Sequence, residues 1–363
     1  MRSTKLTSKM LATVAAFAMA TSACGNKNAS FGLLTDETRF TQNSEPTNGK
    51  IDVLWVIDNS GSMDSSQQRL AAELQQFIQA FDAKGFDYRI AVVTSDAYRD
   101  MFGAPAVRAK FKDGTDQTSH TGVFMVTPST PDRLPTFMTN VLQGTAGSGD
   151  ERPFQSIERA MMSPENAGFG FPRADAFLSV ILVSDEDDFS HDGSAYIDGQ
   201  YTNPALHTTD RYISYLDGLT GATAANRSSR YNVNSIHIQD QACLDTLNAE
   251  YPGRRIGLRY TELVDKVNGI KGSLCDNFGT TLSNISNKII ELATQFYLDR
   301  TPQPETLAVT INGVQVPHIY ETDPQPWNGF IYHADTNSLT FHGSYVPPSG
   351  ATIAVRFDPT GLK

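Results

Sequence analysis

Between residues 51 and 298 the chain carries two kinds of hydrophobic pattern in alternation. One is the short, nearly unbroken apolar run: 51–57 (IDVLWVI), 88–94 (YRIAVVT), 122–127 (GVFMVT), 176–184 (AFLSVILVS) and 231–238 (YNVNSIHI). Runs of this length predict strands covered on both faces. The other kind spaces apolar residues three or four apart. Leu70, Leu74, Phe77 and Phe81 do so within 64–82, and Leu134, Phe137, Met138 and Val141 do so after Pro131. Leu282, Ile285, Ile289, Leu292 and Phe296 do the same within 279–298. These stretches predict amphipathic helices, and a further helix is expected over 153–163. Strands alternating with helices imply an α/β fold with a doubly wound, mainly parallel sheet, whose ligand sites gather at the carboxyl ends of the strands. Residues 189–230 form a long polar insertion, rich in Gly and Tyr, with one helix predicted at 209–218; loops of that length often form binding surfaces.

The pattern changes at both ends. After the two prolines of DRTPQPET (299–306) the period becomes two, through Leu307, Val309 and Ile311, then Val314 and Val316, and on to Ile353, Val355 and Phe357. Asn312-Gly313 between the first two runs is a hairpin signal, so residues 300–363 are expected to form a small all-β, sandwich-like domain. Residues 51–299 form the α/β domain, and the polar stretch 24–50 is expected to be a flexible tether. Residues 1–23 read as a targeting signal: Arg2, Lys5 and Lys9 are followed by an uncharged run of 13 from Leu11 to Ala23, too short to span a bilayer. The end of that run, TSAC, resembles a bacterial lipobox, with Thr21 where lipoproteins usually have Leu. The resemblance implies cleavage before Cys24 and lipidation of its thiol, hence an envelope protein held at the outer membrane by lipid.

Composition adds two constraints. At 39% hydrophobic and 19% charged the chain is ordinary globular material. Its formal charge of −11, or −14 once the signal's three cations are removed, argues against nucleic-acid binding, which needs basic stripes. Of three cysteines, Cys24 is assigned to lipid, which leaves Cys243 and Cys275 to pair. An exported protein can keep that disulfide, which closes a loop of about 30 residues and contributes about 3 kcal/mol.

The candidate chemistry lies where the first buried run ends. DNSGSM (58–63) places Asp58, Ser60 and Ser62 at alternate positions, and LVSDEDD (182–188) places Asp185 after another buried run. Carboxylates and hydroxyls are hard oxygen donors, suited to Mg2+, Mn2+ or Ca2+ rather than Zn2+. Gly61 permits a tight turn that aims the donors at one point. This D-x-S-x-S run, with a second acidic loop after a later strand, resembles the von Willebrand factor A (vWA) domain family over about residues 51–298. The resemblance implies a metal-ion-dependent adhesion site built from Asp58, Ser60, Ser62 and Asp185, with Asp185 acting through a water. It also implies a Thr from a second loop. Thr145 matches that residue type, while Ser148 and Glu151 are the alternatives in QGTAGSGDERPFQSI. The implied function is non-enzymatic: a protein ligand offers a carboxylate to the ion. The alternative is a scaffolding part of an envelope complex in which the ion only stabilises the site.

Enzymatic readings find little support. There is no G-x-S-x-G elbow, no Gly-Lys-Ser/Thr phosphate loop and no H-E-x-x-H. A hydrolase using Asp185 and a metal would lack an identifiable base. His191 is expected to be an exposed loop histidine, and Glu186, Asp187 and Asp188 a solvated acidic turn. Trp55 is expected in the core.

Overall fold

In the central strand, Lys50–Ile57, successive side chains point to opposite faces of the sheet, and both faces are covered. The computed structural model describes residues 40–43, 49–103, 108–115 and 119–361. Cys24, the signal and most of the expected tether lie outside them. The strands and helices of the first part are β1 (Phe40–Asn43), β2 (Lys50–Ile57), α1 (Asp64–Asp82), β3 (Asp87–Thr94), β4 (Met125–Val126), α2 (Arg133–Val141), α3 (Pro153–Met162), α4 (Pro164–Ala167) and β5 (Phe177–Val183). There follow α5 (Thr209–Thr220), β6 (Tyr231–His237), α6 (Gln241–Asn248), α7 (Leu258–Lys266), β7 (Lys271–Ser273) and α8 (Phe278–Ala293). The last part comprises β8 (Phe296–Tyr297), β9 (Ala308–Ile311), β10 (Val314–Val316), β11 (Gly329–His333), β12 (Ser338–His342) and β13 (Ile353–Phe357).

The central sheet has six strands in the order β4-β3-β2-β5-β6-β7, all parallel except the short edge strand β4. Ile51, Val53, Trp55 and Ile57 of β2 join the apolar faces of α1 and α8 on one side. Leu54 and Val56 meet Phe154, Tyr212 and Tyr260 on the other. This two-sided cover explains why the run shows no polar alternation. The ring of Trp55 packs edge-on against Phe77 at 5.2 Å and Phe137 at 5.6 Å, in the core as expected. Asp52 is the exception within the run: fully buried at the base of β2, it is held by the Arg173 side chain (Nη2–Oδ1 2.7 Å).

Several sequence expectations need correction. The helix expected over 279–298 stops at Ala293, where the Thr294 hydroxyl donates back to the Ile290 carbonyl (2.8 Å). Phe296, which continued the helical spacing, instead begins β8 and belongs to the core of the β part. The strand expected over 122–127 shrinks to two residues because it pairs only with the sheet edge. The tether expected up to residue 50 ends sooner: Phe40–Asn43 add an antiparallel strand to β13. Gln42 then stitches that strand to its surroundings, donating to the Tyr297 carbonyl (2.8 Å) and accepting from the Asp299 N–H (2.9 Å). Apolar periodicity could not announce β1, whose pairing is made by the backbone.

β1, β13, β9 and β10 form one antiparallel sheet and β11, β12 and β8 another, around a shared core of residues such as Val309, Phe330, Phe341 and Val355. Asn312 and Gly313 both adopt positive φ (50° and 81°) in the β9–β10 hairpin, as the dipeptide foretells. Contacts join this β part to the α/β part in one unit running from Arg39 to Lys363. Cys243 and Cys275 form a disulfide with Cα atoms 5.7 Å apart, tying α6 to the segment after β7.

His237, at the end of β6, supplies a pH test of this packing. It is fully buried, shares hydrogen bonds with Ser235 (2.9 Å) and Thr261 (3.1 Å), and burial holds its imidazole down to about 4. The unfolded chain takes up that proton near pH 6.5, the folded protein only near 4. His237 therefore costs no stability above about pH 6.5 and progressively destabilises as the pH falls towards 4, by about 3 kcal/mol in full. Denaturant titrations of wild type and His237→Asn at pH 7.5 and 4.5 should show the variant losing less on acidification by about that amount.

Candidate metal centre

Asp58 stands at the carboxyl end of β2, where its N–H still donates to Val183 of β5 (2.9 Å). Its side chain is fully buried and gripped from both sides: the Ser60 N–H donates to Oδ1 (2.7 Å) and the Ser184 hydroxyl to Oδ2 (2.7 Å). The turn that follows brings the Ser60 and Ser62 hydroxyls within 3.1 Å of each other. Ser62 in turn donates its proton to Asp185 Oδ1 (2.9 Å), from the loop after β5. Asp58, Ser60, Ser62 and Asp185, noted separately in the sequence, thus form one hydrogen-bonded chain at the carboxyl ends of two adjacent central strands. The Ser62 proton is committed to a carboxylate, which turns the oxygen's lone pairs outward as hard donors.

The second loop is locked to the first by backbone. Gly147 N–H donates to the Asn59 carbonyl (2.7 Å), and a Cβ on Gly147 would stand 2.5 Å from Asn59, so only glycine fits this approach. Gln67 of α1 bridges both loops, donating to the carbonyls of Asp58 (2.8 Å) and Gly144 (2.9 Å) and accepting from the Gln143 N–H (2.8 Å). Of the three second-loop candidates, Thr145 is half-buried. Ser148 serves its own turn, its hydroxyl accepting the Asp150 N–H (3.2 Å) while its N–H faces Asp96. Glu151, at the foot of α3, is 1% exposed, and neither carboxyl oxygen makes a hydrogen bond among the described residues. Burial lifts its carboxyl well above the ordinary range, the nearby charge of Asp58 adds to the rise, and the Ser95 hydroxyl, close by but outside hydrogen-bond geometry, offsets a part of it. Burial and then repulsion from Asp185 raise Asp58 as well. Glu186, beside them, is pushed up to about 9 by burial, then by Asp58 and Asp185.

Asp185 has a partner that the sequence reading missed. Arg254 donates from Nε to its Oδ2 (2.6 Å) and from Nη2 to the Ser62 carbonyl (2.6 Å), and its Nη1 reaches the Leu247 carbonyl. Both ends of this ion pair are buried. Arg254 stands 69 residues from Asp185 in sequence, and nothing local marks it. Gln67 is likewise unannounced in the sequence. The acidic turn needs correction too: Asp187 and Asp188 are fully buried and not solvated. Asp188 Oδ2 accepts the Phe154 N–H (3.0 Å) at the start of α3, and Asp187 Oδ1 the Arg259 N–H (3.1 Å) at the start of α7. One turn therefore caps two helices, satisfying N–H groups that a helix start leaves unpaired. His191, expected to be exposed, is 1% exposed, with Nδ1 on the Phe189 carbonyl (2.8 Å).

The sheet order has a single antiparallel edge strand. The serine-bearing turn follows the central strand, and the second acidic loop follows its neighbour. The fold is an α/β sheet, doubly wound and mainly parallel. No family model matches the chain, and no curated protein matches it. Solved structures align with much of its length. They include von Willebrand factor type A from Catenulispora acidiphila, 12% identical over 90% of this chain and 67% of that one, with a TM-score of 0.36. The pilus adhesin SpaC from Lactobacillus rhamnosus GG, in its open conformation, is 10% identical over 90% of this chain and 42% of its own, with a TM-score of 0.40. Proximal thread matrix protein 1 from the mussel byssus, with a zinc-occupied MIDAS motif, is 11% identical over 71% and 52%, with a TM-score of 0.36. The chain spans about half the length of the last two. At such identities and TM-scores these likenesses carry no argument, and the site stands on its own geometry.

Among the described residues no group of three or more His, Cys, Asp or Glu side chains is arranged to hold a metal ion by itself. A metal at this site therefore has to draw on the serine hydroxyls as well as the carboxylates. The donor set is wholly oxygen, which fits a hard divalent cation.

Proposed function

We propose that this chain is an envelope-anchored adhesion protein that binds a protein ligand through a divalent cation, Mg2+ or one of its relatives Mn2+ and Ca2+. Asp58, Ser60 and Ser62 hold the ion, Glu151 takes the second-loop position ahead of Thr145 and Ser148, and Asp185 acts through the Ser62 hydroxyl it orients. When bound, the ion supplies an open coordination position for a carboxylate oxygen of the partner. The observation that carries the reading is Glu151: a carboxyl buried beside Asp58, with the Ser95 hydroxyl as its one neighbouring donor, is costly to ionise unless a cation completes it. Arg254 leaves Asp185 already neutralised, so the ion is balanced by Asp58 and Glu151.

Isothermal calorimetry tests this directly. Wild-type protein is expected to bind Mg2+, and Asp58→Ala and Ser60→Ala to lose binding at least tenfold while keeping the wild-type circular dichroism spectrum. Undiminished binding in both variants would sink the site. Lipid anchoring through Cys24 belongs to the same proposal, and Cys24→Ala is expected to move the protein from the membrane to the soluble fraction. Among the described residues no helix is long and apolar enough to cross a membrane.

A further inference from the structure

Beside the ion loops lies a cleft of about 590 Å³, walled by Asn59 of the serine-bearing turn, Gln143 and Ala146 of the second loop, and the segment 108–115. Asn59 sits between Asp58 and Ser60, so the cleft opens next to the position the ion would occupy. Its far wall carries Arg108, Lys110 and Lys112 interleaved with Asp96 and Asp113, and Arg108 is spent on Asp96 (3.2 Å). The acids of the same wall are already engaged. Asp96 meets Arg108 (3.2 Å) and Arg99 (3.6 Å), and Asp113 meets His120 (2.9 Å) and the Gly122 N–H (3.2 Å). Lys110 lies over the Phe124 ring, 4.1 Å from its centroid, and has no carboxylate within ion-pair distance among the described residues. An ammonium set on an aromatic face at the mouth of a cleft is ready to receive an anion.

We propose that this cleft is a second subsite for the protein ligand, and that the ligand is an acidic segment with at least two carboxylates: one for the ion, the next for Lys110. This rests on the ion-dependent reading above and specifies the partner's chemistry. The Lys110 ammonium complements an acidic chain and would repel a basic one. Because the subsite lies beside the ion and shares none of its donors, the two contributions can be separated by experiment.

The probes are fluorescein-labelled synthetic peptides rich in Gly and Ser. One set carries a single Asp; the other carries two Asp separated by zero to four residues. Anisotropy is read with Mg2+ and with chelator, and Mg2+ binding is measured separately by calorimetry. At the best spacing the two-Asp peptide is expected to bind at least tenfold more tightly than the one-Asp peptide, only with Mg2+. Lys110→Glu is expected to erase that gain while binding Mg2+ as wild type does, and Lys110→Arg to retain it. Mg2+ binding with no gain from the second Asp at any spacing, or a gain that survives in Lys110→Glu, overturns the subsite and leaves the ion reading standing. Equal competition by inorganic phosphate at the same concentration as the peptide also overturns it, since the wall would then be a general anion site. Failure of Mg2+ to bind at all removes the ion reading itself.

Discussion

Arg254→Ala is expected to lower stability by about 3–5 kcal/mol, the usual result of stripping one partner from a buried ion pair. Arg254 neutralises Asp185 with both groups out of solvent, and the same guanidinium also donates to the Ser62 and Leu247 carbonyls. Its removal leaves the buried Asp185 carboxylate with the Ser62 hydroxyl but without its counter-charge, and takes a donor from the Ser62 carbonyl, while the Leu247 carbonyl keeps the Glu250 and Tyr251 N–H groups. Thermal unfolding in chelator should show the midpoint falling by roughly 10 °C, given the few degrees per kcal/mol of a large domain. The ion loops should suffer with it, since Ser62 is fixed through its hydroxyl by Asp185 and through its carbonyl by Arg254. A second arm adds Mg2+: with Asp185 released, a cation has more charge to meet, and the ion-induced rise in the midpoint should exceed that of wild type. A midpoint within 2 °C of wild type in chelator would show that water replaces the guanidinium at little cost.

Glu151→Gln is expected to move stability and ion response in opposite directions. The folded-state pKa of Glu151 is raised above its unfolded value of about 4.5. The stabilising contribution of the neutral carboxyl is thus full below that value and is lost as the pH rises through the folded pKa. Glutamine keeps the shape and never ionises, so its advantage over wild type in chelator should grow as the pH climbs from 5 to 8, to about 2 kcal/mol. Mg2+ should reverse the ranking. Ligand at a hundredfold excess over Kd stabilises wild type by about 2.7 kcal/mol, and the variant, lacking one of two balancing charges, should gain little. Thermal midpoints with and without Mg2+ at pH 8 decide the matter, and an equal rise in both proteins would remove Glu151 from the site.

What could be read from the sequence follows from where each signal resides. The buried runs 51–57 and 176–184 and the face Leu70, Leu74, Phe77 and Phe81 are local patterns, and the structure has them as β2, β5 and α1. β7 and β4, three and two residues long, exist only because a sheet edge is there to pair with. The same distinction holds at the site. Asp58, Ser60 and Ser62 share one turn and announce themselves, whereas Arg254 reaches Asp185 across 69 residues. Charge in the acidic turn suggests solvent, and only the fold shows α3 and α7 starting where Asp188 and Asp187 accept their N–H groups. Glu151 could be named from the sequence as one of three candidates. Its burial, which separates it from Thr145 and Ser148, depends on the packing of α3 against the central sheet.

The short strand β1 sets a load path. Any pull arriving through the residues before Phe40 enters the fold at its pairing with β13, four residues in register and reinforced by Gln42. Only a short stretch of chain separates β1 from β2, the strand that bears Asp58. Tension applied on the amino-terminal side would therefore have to shear β1 from β13 before reaching β2, so the antiparallel sheet works as a strain relief for the donors at the far end of the central strand.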